Sequence, residues 1–161
     1  MKKYTLIFVI KGNFTSLLID DAVLQMSYEF KGNTLRKHRL SFFPSPSLEF
    51  FQNQPEIYEE DQMYGNIVQP NTVPFPIRFD FDVEAHSVVQ HPKSHLTLGQ
   101  YKNCRIPVCY AITPISFIKF ILQNFYNSPQ NDYTLGLSKE GKTFEIDIDP
   151  LERKLLHMNC D

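Results

Sequence analysis

Between Arg78 and Arg105 this chain crowds residues whose types could handle a phosphate: Arg78, Asp80, Asp82, His86, His91, His95 and Arg105. Three of its five His fall within ten positions there. A neutral His beside a carboxylate can exchange a proton near neutral pH, and an Arg can stabilise charge developing on phosphate. Arg78 and Asp80, two residues apart on a strand, point the same way about 7 Å from one another. These are the parts of a metal-independent phosphodiester-cleaving site. His91 or His95 would be acid and base, Asp80 would orient one of them, and Arg78, Arg105 and Arg39 would hold phosphate. Lys93 and His38 are further binding candidates. The same set equally describes an anion pocket without catalysis.

Plainer explanations compete. Charges alternating with Phe often form a solvated strand face, with Arg78 merely paired to Asp80 or Asp82. His91 and His95, in His-Pro-Lys-Ser-His, could decorate a loop. No cofactor is expected. Asp80, Asp82, His91 and His95 offer hard and borderline metal ligands, but the Pro between the two His argues against the helical pair of a HExxH site. His95-Leu96-Thr97-Leu98 matches half of the two-histidine phosphoesterase pattern, and His38-Arg39-Leu40-Ser41 places its hydroxyl one residue too late for the other half. With six Gly in the chain, a Gly-rich phosphate cradle is not expected, and no nucleophile elbow occurs. Cys104, Cys109 and Cys160 are odd in number and lack metal spacing, so they read as reduced cytosolic thiols.

Several elements must position these residues. Tyr4 to Ile10, Phe14 to Ile19, Val23 to Phe30 and Leu35 to Phe43 read as strands of an antiparallel meander, separated by Lys11-Gly12-Asn13, Asp20-Asp21 and Lys31-Gly32-Asn33. Consecutive strand residues face opposite ways, so of His38 and Arg39 at most one joins a given pocket, and Arg39 suits the polar face. Pro44-Ser45-Pro46 stops the fourth run, with Ser47 capping a short helix from Leu48 to about Asn53. Glu56 to Met63 suggests an acidic helical turn. Ile77 to Asp82 alternates strictly, with Ile77, Phe79 and Phe81 on one face and Arg78, Asp80 and Asp82 on the other. Ser94 to Leu98 and Arg105 to Val108 are short strands. Thr113-Pro114 opens the main helix, as N-cap and first helical residue, with Phe117, Phe120, Ile121, Leu122 and Phe125 as its apolar stripe. Thr143 to Ile148 alternates, and Asp149-Pro150 opens a last helix to about His157.

The 161 residues suit a single domain, spanning 1–161, able to bury roughly 70% of its unfolded surface without staples. Fourteen Phe and eight Tyr supply a thick core. The net charge of −2 argues against a broadly basic nucleic-acid coat or polybasic membrane surface, while allowing a local anion site. No stretch approaches the ~20 apolar residues of a membrane span. The opening Met1-Lys2-Lys3 and its seven-residue apolar run end at Lys11-Gly12-Asn13 without a small-residue cleavage site, so a strand and turn explain it better than a signal peptide.

Three blocks, His38 to Pro46, Val73 to Asp82 and His91 to Pro107, resemble the bacterial domain-of-unknown-function family numbered 2290, and Phe117 to Tyr126 fits its following helix. The likeness runs from about Phe14 to Asn127. It implies a bacterial protein and no established activity. Members carry more chain before the first hairpin, so the resemblance implies an N-terminally truncated copy or a late start.

The sequence therefore predicts an α+β fold: an antiparallel β-meander or curved sheet packed against one main helix, about 113–127, and a short C-terminal helix. Two functions are carried forward. One is a cytoplasmic nuclease or toxin-like enzyme acting on RNA or a nucleotide. The other is a non-catalytic anion-binding, nucleotide-binding or protein-interaction module of a defence or toxin–antitoxin operon. No membrane partner is expected, and a homodimer is neither implied nor excluded.

Overall fold

The computed structural model describes residues 14–18, 20–58, 68, 72–101, 103–126 and 144–159. The expected strand from Tyr4 to Ile10 lies outside them. Six strands form one antiparallel sheet in chain order: β1 (Phe14–Leu17), β2 (Val23–Lys31), β3 (Thr34–Phe43), β4 (Ile77–Asp82), β5 (Ser94–Leu98) and β6 (Ile106–Pro107). Among the described residues the helices are α1 (Leu48–Asn53) and α2 (Pro114–Phe125), with 3-10 turns at Pro55–Tyr58 and Glu152–Lys154. The α+β meander with one main helix is thus observed.

Period two sorts the strands into two faces. Leu24, Leu40, Phe42, Ile77, Phe79 and Leu96 point to one side and are buried. α2 lays Phe117 and Ile121, both fully buried, against that side. Phe79 meets Phe117 and Phe120 edge-on at 6.1 and 5.4 Å between ring centroids, and Phe42 stacks on Phe125 at 5.4 Å. Such ring geometries add to the burial of their area. Thr113 caps α2 as expected: its backbone is extended, and its side chain accepts from Ser116 N, with Pro114 in the first turn.

Short connections fix the register. The β2–β3 turn has only Gly32 and Asn33 between the paired Lys31 and Thr34. Gly32 sits at φ +61°, where a Cβ would be strained. A β-bulge follows: Phe30 pairs with Leu35 but Glu29 pairs with Lys37, so Arg36 is the extra residue. Beyond it the pairs Ser27–Arg39–Asp80–His95 and Gln25–Ser41–Arg78–Thr97 form straight rows across β2 to β5.

His38 occupies the core face. It is 1% exposed, its ring packs between Tyr28 and Phe81, and its Nε2 accepts from Ile112 N at 3.0 Å. Tyr28 donates its hydroxyl to Ile112 O at 2.8 Å. Two side chains from adjacent strands thus hold both polar groups of one peptide residue just ahead of α2, and burial pushes the Tyr28 hydroxyl strongly upward.

Four local expectations are corrected. Ser47 makes no capping bond; its own N–H donates to Ser45 Oγ at 3.2 Å. The 105–108 strand shrinks to Ile106–Pro107, because Cys104 N and Arg105 N are engaged in a preceding turn, with Tyr101 O and Asn103 O. The period-two run ending at Ile148 forms no strand where described, 144–148: it lacks a neighbouring ladder, and Asp147 N donates to Cys109 O. The last helix is a single 3-10 turn, opened by Asp149 Oδ1 accepting from Leu151 N and closed by Leu155 in an extended conformation. Of the acidic turn at 56–63, only Pro55–Tyr58 is described.

Candidate functional site

The face opposite the core is polar and carries the candidate residues. Asp80 lies at its centre, 7% exposed. Its Oδ1 accepts from Arg39 Nε at 2.8 Å, across the β3–β4 pair, and its Oδ2 accepts from Arg78 Nε at 2.6 Å, from two residues back on β4. Burial alone would raise the Asp80 pKa, but the two guanidiniums outweigh it and hold the carboxyl below its usual range. Asp80 therefore stays charged at neutral pH. Each Arg spends one N–H on it. Their terminal nitrogens make no further hydrogen bond or ion pair among the described residues, and the side chains stay 54% and 38% exposed. Two half-open guanidiniums share one buried carboxylate, which leaves a local surplus of one positive charge.

His95 closes one side of the row. It is 2% exposed, its Nε2 lies 3.8 Å from Asp80 Oδ2, and its Nδ1 is 2.9 Å from Pro92 O, which fixes Nδ1 as the donor. Burial lowers its pKa, with His91 and Arg105 pushing the same way against the pull of Pro92 O and Asp80, so the ring is neutral at pH 7. The His91 ring meets it edge-on at 4.8 Å. His91 Nδ1 is buried without a partner among the described residues, as is Thr97 Oγ1 one row along. Arg105 roofs this end by donating Nη1 to Gln90 O at 3.3 Å.

The structure thus brings together Arg39, Arg78, Asp80, His91, His95 and Arg105. It separates three others. His38 is on the core side, where burial pushes its pKa down to about 3. Lys93 turns to Asp147 at 2.7 Å. Asp82 pairs with Lys37 at 2.8 Å and caps the turn by accepting from Glu84 N and Ala85 N. The two-histidine motif also dissolves, since His38 and His95 point to opposite faces. Asp80 gives one oxygen to each Arg. Among the described residues no group of three or more His, Cys, Asp or Glu is arranged to hold a metal ion. Cys104 is half-buried and Cys109 buried, both free thiols; Cys160 lies outside the described residues.

Sequence reasoning missed two contributors. The first is the row of neutral side chains beyond Arg39. Thr15, Gln25, Ser27 and Ser41 line, with Arg39 and Met26, a shallow hollow of about 320 Å³. Period two on β2 contained the signal, but only the register shows that these positions adjoin Arg39. The second is Glu152, 1% exposed, which accepts from Val89 N at 3.0 Å and lies 3.5 Å from His86 Nε2. Val89 has φ +67°, a rare conformation for a β-branched residue, and this bond holds it. The C-terminal turn thereby fastens the loop that delivers His91. In Leu151-Glu152-Arg153-Lys154 nothing distinguishes Glu152 from a solvated charge.

A family model described as "Uncharacterized conserved protein (DUF2290)" matches residues 2–160. No curated protein and no solved structure matches the chain. Among the described residues no helix is long and apolar enough to cross a membrane.

Proposed function

We propose, for a chain that belongs to the DUF2290 family of uncharacterised conserved proteins, that the polar sheet face binds a phosphate-bearing ligand, RNA or a nucleotide, through Arg39 and Arg78. The observation that carries this reading is the shared use of Asp80. One buried carboxylate orients two guanidiniums from different strands and leaves their outer N–H groups open to solvent. Pre-aligned guanidiniums suit a phosphate because they present parallel donors at little entropic cost. Of the other carboxylates nearby, Asp82 is paired with Lys37 at 2.8 Å and Glu84 with Arg36 at 3.5 Å.

Titration of the protein with pyrophosphate and with a short single-stranded RNA tests this. Arg78→Ala and Arg39→Ala should each weaken binding about tenfold or more, since a hydrogen bond to a charged group contributes roughly 1.5–3 kcal/mol. Affinity for the RNA should fall as salt rises, because bound phosphates release counterions. Wild-type affinity for both ligands that either substitution leaves intact would sink the reading.

One observation favours phosphodiester cleavage as a second reading. His95 stands between Asp80 and His91, and His91 is the half-buried end of that chain. His95 has both ring nitrogens occupied or shielded, so it would position His91, and His91 would be the proton-transfer group. RNA cleavage and growth toxicity that survive both His91→Ala and Arg78→Ala would end this second reading and leave binding alone.

A further inference from the structure

One end of the polar face is apolar. Beyond the Gln25–Ser41–Arg78 row comes the row Leu17–Val23–Phe43, on the same face by period two. Leu17 is 65% exposed and Phe43 38%, and Phe43 makes no ring contact among the described residues. An aromatic ring that keeps part of its face in water can serve as a stacking platform, because a flat ligand laid on it buries apolar area that the fold leaves exposed. Between Phe43 and Arg39 lies the hollow lined by Thr15, Gln25, Ser27 and Ser41. These are neutral donors and acceptors, which suit hydrogen bonds to an uncharged heterocycle rather than to an ion. Adjacent rows are two residues, about 6.6 Å, apart along the strands. Phe43 thus stands one row from Arg78 and two from Arg39. A flat base and its own phosphate fit that spacing.

We infer that the ligand is a nucleoside phosphate unit, with its base stacked on Phe43 and read by Gln25, and its phosphate on Arg78 and Arg39. This rests on the anion-binding reading above and adds a base to it. Single-stranded nucleic acid and a free nucleotide share this chemistry. A duplex does not, because its bases are already stacked on one another.

Fluorescence anisotropy with a labelled single-stranded RNA oligonucleotide, its duplex, and competition by a nucleoside monophosphate and by pyrophosphate separates the cases. Phe43→Leu should weaken single-strand binding about tenfold, within the range for loss of one stacking platform, and leave pyrophosphate affinity unchanged within about twofold. Gln25→Ala, at an exposed position that no folding defect should reach, should weaken the oligonucleotide or the monophosphate but not pyrophosphate. Competition by the monophosphate at concentrations near the oligonucleotide's own affinity would identify a free nucleotide as the source; its failure would identify the strand. If Arg78→Ala loses pyrophosphate while Phe43→Leu and Gln25→Ala bind the oligonucleotide as wild type does, the base assignment is overturned and the anion site stands. If the wild type binds neither the oligonucleotide nor pyrophosphate, both fall.

Discussion

Lowering the pH from about 7 to about 4 is expected to remove roughly 3 kcal/mol of folding stability through His38 alone. The sign follows from the proton count. Burial depresses the His38 pKa from 6.5 to about 3, so between those values the unfolded chain binds a proton that the folded chain refuses. The contribution is fully present above the unfolded value and is lost progressively as pH falls toward the folded one, at about 1.4 kcal/mol per pH unit. His95, also depressed by burial, adds slope of the same sign. Asp80 adds a contribution of the same sign at the acid end: its depressed pKa gives stability that is present above 3.8 and lost as pH falls further. Urea unfolding at a series of pH values measures the slope. His38→Phe should flatten it above pH ~4 while lowering stability at neutral pH by about 1–3 kcal/mol, because Ile112 N then lacks its acceptor. An unchanged slope in that variant would contradict a buried neutral His38.

Phe79→Ala is expected to cost about 3–5 kcal/mol at neutral pH. The ring is 2% exposed and meets two α2 rings edge-on, so its removal leaves a cavity exactly where sheet and helix join. Its neighbours on the chain, Arg78 and Asp80, face the other way. Arg78→Ala should therefore shift the urea midpoint less than Phe79→Ala, because Arg78 is partly exposed and the buried Asp80 keeps its bond to Arg39 when Arg78 is removed. Equal losses from the two substitutions would mean that the two faces are not independent.

Much of this arrangement was legible in the residues. The strict alternation of Ile77 to Asp82 assigned both faces of β4 correctly, because period two is geometric. The preference for Arg39 over His38 on the polar face follows the same rule. What alternation could not supply was who stands beside whom. Arg39 meets Asp80 only after a bulge at Arg36 and a long connection between β3 and β4, neither of which local residue types announce. The run ending at Ile148 shows the converse failure: period two makes a strand only when a neighbouring ladder can accept it, and this segment has isolated bonds to Cys109 and Lys93 instead. Glu152 was invisible because its role is set by the backbone of Val89, far away in sequence.

The two-sided sheet also bears on how such a protein could change its ligand. Positions proposed for recognition (Gln25, Ser27, Arg39, Ser41, Arg78) alternate along the strands with positions that pack the core (Leu24, Met26, Leu40, Phe42, Phe79). A lineage, or a library, can therefore rewrite the first set letter by letter while the second holds the scaffold fixed. The bulge at Arg36 becomes the point of vulnerability in that scheme: a one-residue slip there would exchange the two sets, and the chain would lose its fold and its specificity in the same step.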